Sequence, residues 1–157
     1  MPPSRAEMEK LKLGSEEYGS LAKLLRKVDF FAPLTVAQLE NVLPYILLYQ
    51  YASGETVFKQ GSEGDAFYII HEGQVAINVK TWFLGLTRQV AAMLPGDFFG
   101  EMALLSKGPR NATVSCVSAA KLFVLTAVDF QYILKENPAF AAEVAKIAAR
   151  RKFSASH

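Results

Sequence analysis

Within the segment FFGEMALLSKGPRNATV, residues 98 to 114, a carboxylate, Glu101, follows an aromatic–glycine step, and an arginine, Arg110, follows a glycine–proline step. Gly100 permits a conformation closed to other residues, and EMALLS is good helix-forming sequence for about one turn. A glycine leading into a helix start turns backbone N–H groups and the positive end of a helix dipole toward one point, a disposition suited to an anionic phosphate. Arg110, held behind the rigid Gly108–Pro109 step, can add full positive charge and paired N–H donors for the same anion. Glu101 would repel a phosphate yet would accept from a sugar hydroxyl, so a ribose cyclic phosphate satisfies both groups. The competing reading is a Glu101–Arg110 salt bridge that only closes the loop, a contact usually worth about 0–1 kcal/mol.

No other constellation in the chain has the makings of catalysis. His71 and His157 are the only histidines, too few for the His and carboxylate cluster that a metal-dependent jelly roll of the cupin type requires. His71 beside Glu72 reads as a turn residue. Ser106, Ser115 and Ser118 have no plausible His and Asp partners to activate a nucleophile. The single cysteine, Cys116, lies in ATVSCVSAA and reads as a buried strand residue in a reducing compartment. A site made of binding groups alone predicts a protein that is not an enzyme, holds no metal and needs no cofactor.

The elements that position these residues fall into three parts. At 157 residues and 51% apolar content, the chain supports one domain with a real core. Residues 1 to 14 are polar and read as a frayed terminus. Tyr18, Leu21, Leu24, Leu25 and Val28 then recur at helical spacing, and after the break DFFAPL, Thr35 with Gln38 forms a capping-box pattern before VAQLENVL, which Pro44 stops. From Tyr45 the texture changes to short runs rich in Val, Ile, Phe and Tyr, punctuated by glycine: ETVF, AFYII, QVAINV and RQVAAML. These predict an antiparallel β-roll or jelly roll over about 45–126. Helix returns from Val128 as VDFQYILKEN and, past Pro138, as AFAAEVAKIAARRKF, ending near 153. The expected fold is therefore α+β and mainly β, with residues 1–28 as an N-terminal helical segment and 29–157 as the ligand-binding domain.

The formal charge of +2 arises from 17 basic and 15 acidic residues scattered along the chain, so no field argues for nucleic acid. No apolar run reaches the roughly 18 residues of a membrane span, and MPPSRAEMEK lacks an apolar signal region. Cytoplasmic localisation is the expectation.

The segment FGEMALLSKGPRNATV resembles the phosphate-binding cassette of cyclic nucleotide-binding domains, whose pattern is F-G-E-[LM]-A-[LA], a variable loop, then P-R-x-A-[TS]-V. Upstream, VFKQGSEGDAFYIIHEGQV is similar to that family's glycine-punctuated strands, with Gly61, Gly64 and Gly73 around the apolar run Phe67 to Ile70; Ser62 departs from the acidic or amide residue commoner there. The resemblance covers about residues 29–153 and suggests a bacterial member. It implies cAMP or cGMP as ligand, with Glu101 accepting from the ribose 2′-hydroxyl and Arg110 pairing with the cyclic phosphate. It implies further that Gly100, Met102 and Ala103 offer backbone groups from the short helix, and that Asn111 and Ala112 line the pocket. Thr113 matches a position usually Thr or Ser, its hydroxyl facing either the ligand or the strand. In the family the last helix commonly covers the base, which makes Arg150 or Arg151 in ARRK a candidate cap; the plain reading of that run is a solvated helix end. A Thr directly after the cassette arginine is associated with guanine recognition, and Asn111 stands there, so weak discrimination with cAMP slightly ahead is expected.

Binding would then act by changing the population of lid-open and lid-closed states. A regulatory module of a channel or kinase would share this sequence, whereas a transcription regulator of the catabolite-activator type would need a helix-turn-helix after the last helix, for which the chain stops too soon. The hairpin NVKTWFLGLTRQV carries Trp82, Phe83, Leu84 and Leu86 at its tip, either as a contact surface for a protein effector or a second copy, or folded back on the roll. The helices are the other surface such partners could use.

Overall fold

The computed structural model describes residues 8–11, 13–28, 31–81, 83 and 85–154, with residues 8–11 and 151–154 described by backbone alone. Strand β1 (Met8–Leu11) precedes helix α1 (Ser15–Leu25), where the Gly14 N–H donates to the Glu17 carboxylate at 3.2 Å. Leu21, Leu25 and the following Val28 are fully buried, while Tyr18 stays 39% exposed at the margin of the apolar stripe. Helix α2 (Val36–Val42) starts with the expected reciprocal cap: the Gln38 N–H donates to Thr35 Oγ1 at 3.1 Å, and the Thr35 N–H donates to Gln38 Oε1 at 2.9 Å. Pro44 sits in a 3-10 turn, Leu43–Tyr45, that ends the helical part.

Eight further strands and three helices follow. The strands are β2 (Leu47–Tyr51), β3 (Thr56–Phe58), β4 (Ala66–Glu72), β5 (Val75–Lys80), β6 (Thr87–Met93), β7 (Phe98–Phe99), β8 (Thr113–Cys116) and β9 (Ala120–Thr126). Helix α3 (Met102–Leu105) interrupts them after β7, and α4 (Ala127–Glu136) and α5 (Pro138–Ser154) close the order. The strands form two antiparallel sheets, ordered β1-β2-β9-β4-β7 and β3-β8-β5-β6. This is the expected β-roll with flanking helices.

Strands β4 and β9 run through the middle of the first sheet and are buried on both faces, which is why AFYII is continuously apolar rather than alternating. Their odd-numbered side chains Phe67, Ile69, Phe123 and Leu125 join α1, α2, α4 and α5 in one core. The even-numbered Tyr68, Ile70, Leu122 and Val124 face the roll interior with Val75, Phe99 and Val114. Helix α4 opens on Thr126, whose hydroxyl accepts from the Asp129 N–H at 3.2 Å, and Phe140, Val144 and Ile147 pin α5 to the helical core.

Two expectations need correction. Residues 8–11 are not frayed: β1 pairs with the open edge of β2, Met8 against Tyr51 and Leu11 against Leu48. Four residues are too few for a periodic signal, and it is the unpaired donors and acceptors of the sheet edge that recruit them. His71 lies within β4, its ring 4.8 Å from that of Phe123, and the turn comes after it at Gly73.

Candidate functional site

The turn between β3 and β4 and the segment before β8 are fastened together by backbone hydrogen bonds. The Gly61 N–H donates to the Arg110 carbonyl at 2.8 Å, the Arg110 N–H to Ser62 at 2.6 Å, and the Gly64 N–H to Gly108 at 2.9 Å; Glu63 and Pro109 form an isolated bridge. Gly64 packs closely here: a Cβ would lie 3.2 Å from the Ala103 Cβ, tight enough that the neighbour would have to give by a few tenths of an ångström. The two separated sequence motifs are thus one structural unit, with Arg110 at its centre.

Arg110 is the only buried polar or charged residue among the described residues, at 8% exposure. Its Nη2 donates to the Ala66 carbonyl at 2.7 Å and stands 3.5 Å from Asp65 Oδ1. The guanidinium carbon lies 4.0 Å from the centre of the Phe58 ring, and Phe58, Tyr68 and Phe99 pack as a trio with Tyr68 and Phe99 stacked at 5.1 Å. Burial lowers the pKa of the guanidinium from its ordinary value, opposed by Tyr68 and Asp65, but arginine remains a cation at any ordinary pH. Its buried Nε–H has no acceptor. A buried donor of this kind costs about 1–3 kcal/mol until an acceptor arrives.

Gly100 closes the unit from the other side. Its φ of +80° favours glycine, and a Cβ would come within 2.8 Å of Arg110 Nη1 and 3.1 Å of the Ala66 carbonyl oxygen. Glu101 is the N-cap of α3, half-buried, with right-handed helical backbone. The Ala103 N–H donates to Gly100 and the Leu104 N–H to Glu101, each at 3.1 Å, so these two amides close the turn on themselves. Positive charge in the unit therefore comes chiefly from Arg110.

Above the guanidinium lies a cleft of about 870 Å³, within the range of small-ligand sites. Gly100, Glu101, Met102, Ala103, Arg110, Asn111 and Ala112 all line it, so seven of the expected site residues meet at one place. Asn111 is exposed at the margin and Ala112 is buried. Thr113 Oγ1 accepts from the Gln60 N–H at 2.9 Å, and Thr113 is not among the lining residues. Arg150 is exposed on α5 and also outside the lining; the Arg151 side chain lies outside the described residues.

Sequence reasoning missed Phe58, Asp65 and the apolar wall built by Ile77, Val79, Val90, Ala91 and Met93. Asp65 carried a usable signal, as a lone carboxylate between Gly64 and an apolar strand. Val90 did not, because it lies on the face it does only through a bulge: Ile77 pairs with Ala91 but Asn78 with Gln89, so consecutive residues 90 and 91 both reach the cleft. Cys116 is buried as expected, its thiol pushed up by burial to about 11, hence inert at neutral pH. Among the described residues no group of three His, Cys, Asp or Glu could hold a metal ion, and no helix is long and apolar enough to cross a membrane.

Comparison with known proteins gives a consistent answer. The sequence model of the cyclic nucleotide-binding domain matches residues 48–137. A cyclic AMP receptor protein of Thermus thermophilus is 32% identical over 77% of this chain and 56% of its own length. A cyclic nucleotide-gated potassium channel of Rhizobium etli is 32% identical over 83% of this chain and 35% of the channel. The regulatory domain of Toxoplasma gondii PKA, solved with cAMP, superimposes with a TM-score of 0.72 at 30% identity, over 80% of this chain and 47% of that one. The chain thus spans little more than half of the first relative and about a third of the second.

Proposed function

The chain belongs to the cyclic nucleotide-binding domain family, and from that premise we propose that it binds a 3′,5′-cyclic nucleotide, cAMP or cGMP, and acts as a sensor or regulatory unit without catalysing a reaction. The observation that carries the reading is the buried Arg110 guanidinium beneath the cleft, with an Nε–H that has no acceptor. A cyclic phosphate seated against Gly100 and Ala103 supplies that acceptor and a compensating charge in a desolvated place, where charge-assisted hydrogen bonds are strong. Glu101 then accepts from the ribose 2′-hydroxyl, and the base lies along the apolar wall of β5 and β6, past Asn111.

Occupancy would act on the helices through the cassette: α3 touches α4, where Gln131 Nε2 lies 3.5 Å from the Leu104 carbonyl oxygen. A shift of α3 on binding changes the seating of α4 and α5 and so the population of lid positions, with Arg150 or Arg151 closing on the base. The match to a gated channel over most of this chain favours the further reading that it regulates a larger cytoplasmic assembly or a covalently linked partner.

The test is titration calorimetry with cAMP, cGMP and the 2′-deoxy form of cAMP, on the wild type and on Glu101→Gln. Wild type should bind both nucleotides. The Gln variant should weaken cAMP by a few-fold, since a neutral acceptor keeps about half the strength of a charge-assisted bond, and should bind the deoxy form as wild type does. Absence of heat with either nucleotide refutes the reading; a variant effect that persists with the deoxy form would move Glu101 away from the ribose.

A further inference from the structure

The hairpin joining β5 to β6 carries a surface that the nucleotide site does not use. Phe83 is 75% exposed and Leu86 61% exposed; Trp82 and Leu84 lie outside the described residues. At the base of the loop the Thr81 N–H donates to the Leu86 carbonyl at 2.8 Å and the Gly85 N–H to the Thr81 carbonyl at 2.9 Å. Directly behind the tip stand Lys80, opposite Thr87, and Arg88, opposite Val79, both exposed. Between Glu72 and Asp97 the sequence contains these two cations and no acidic residue.

We propose that this hairpin docks on an anionic lipid surface, Phe83 and Leu86 entering at the level of the headgroups while Lys80 and Arg88 contact lipid phosphates. The layering of the hairpin matches that of a membrane interface, with apolar and aromatic groups outermost and cations one step behind. Each cation near an anionic leaflet adds about fivefold to partitioning. An acidic protein groove would account for the cations but not for an apolar tip ahead of them. A second copy meeting tip to tip would bring four cations together with no carboxylate on either hairpin to offset them. Neither Phe83 nor Leu86 lines the nucleotide cleft, although Val79, opposite Arg88, does, so the docking residues stand beside the rim of the cleft rather than within it.

Trp82 is the only tryptophan in the chain and sits in the tip sequence, which makes it a reporter. The full chain would be mixed with vesicles of phosphatidylcholine alone and with vesicles containing about one part phosphatidylserine to three of phosphatidylcholine, reading tryptophan emission and co-sedimentation. A blue shift with the anionic vesicles and partitioning about fivefold to thirtyfold stronger than onto neutral ones are expected. Raising the salt concentration should weaken the preference, and Lys80→Glu with Arg88→Glu should abolish it. Phe83→Ser with Leu86→Ser should reduce partitioning at least tenfold while the thermal unfolding midpoint by circular dichroism stays near that of wild type. Equal partitioning of wild type and the double Ser variant, or no spectral shift with either vesicle, overturns the proposal. A shift that appears with rising protein concentration in the absence of lipid would assign the tip to a second copy and overturn it as well.

Discussion

The two faces of β4 and β9 bury similar residues and leave them in opposite conditions. On one face Phe67, Ile69, Phe123 and Leu125 share a core with all five helices, Leu104 of α3 included, and Phe31, Phe130 and Phe140 close the space with ring pairs 5.9 to 6.4 Å apart. On the other, Tyr68, Ile70, Leu122 and Val124 meet the second sheet, and the packing stops short at a cleft floored by a buried cation. The first face needs nothing further. The second holds a desolvated guanidinium with one donor unpaired, stabilised by two oxygens and an aromatic ring rather than by complete packing. Stability is built where the packing is finished, and binding where it is left open, so substitutions on the two faces should separate the two properties.

The largest effect belongs to the finished face. Phe130 is fully buried and meets Phe31 and Phe140 edge to face, at 6.2 and 5.9 Å. Phe130→Ala should cost about 3–5 kcal/mol of unfolding free energy, transfer and cavity terms together, with the nucleotide affinity of the folded fraction changed by a smaller amount, the part that reaches the site through the coupling of α4 to α3. Urea unfolding followed by calorimetry measures both; an affinity loss as large as the stability loss would mean that the two faces are not separable.

Next comes Arg110→Ala on the open face. Removing a charge-assisted pair in a desolvated site should lower cyclic nucleotide affinity by about tenfold to several hundredfold. Stability should fall much less than for Phe130→Ala, because the desolvation cost of the cation disappears along with its bonds to Ala66 and Asp65. Unchanged affinity in a folded variant would show that the phosphate sits elsewhere. Phe58→Leu should follow with a smaller loss, since a desolvated cation–π contact is worth up to about 2 kcal/mol, or some thirtyfold. A double-mutant cycle with Arg110→Lys tests whether Phe58 acts through the guanidinium plane; additive losses would leave Phe58 as a packing residue only.

The finished face was legible from sequence because its causes are local and repeated. Helical spacing in Leu21, Leu25 and Val28, the Thr35–Gln38 cap and the doubly buried AFYII each declare themselves within a few residues. The residues expected in the cassette come together for another reason: Gly100, Glu101 and Arg110 are close in sequence and line one cleft. What escaped was whatever antiparallel pairing brings from afar. Phe58 and Asp65 reach Arg110 only because Gly61 and Gly64 are bonded to the far side of the roll, and Val90 turns to the cleft through a bulge no pattern announces. β1 escaped because its partner is an open edge rather than an apolar surface. The hairpin tip posed a question of which face is covered, and periodicity carries no information about that.

The smallest expected effect sharpens what the open face can read. Its wall is apolar along β5 and β6, so an adenine and a guanine gain nearly the same burial there. Asn111, exposed at the margin of the cleft, is a side-chain amide with both a donor and an acceptor to offer a guanine edge. One polar contact to a base is worth about 1 kcal/mol, which sets the scale: cAMP and cGMP should bind within about tenfold to thirtyfold of each other, with cAMP slightly ahead because adenine needs fewer polar partners. Asn111→Ala should then weaken cGMP by about fivefold and barely touch cAMP. Competition of both nucleotides against a fluorescent analogue resolves such differences. A thousandfold preference in either direction would place base reading on a group outside the described lining, for which the last turn of α5, around Arg150 and Arg151, is the place to look.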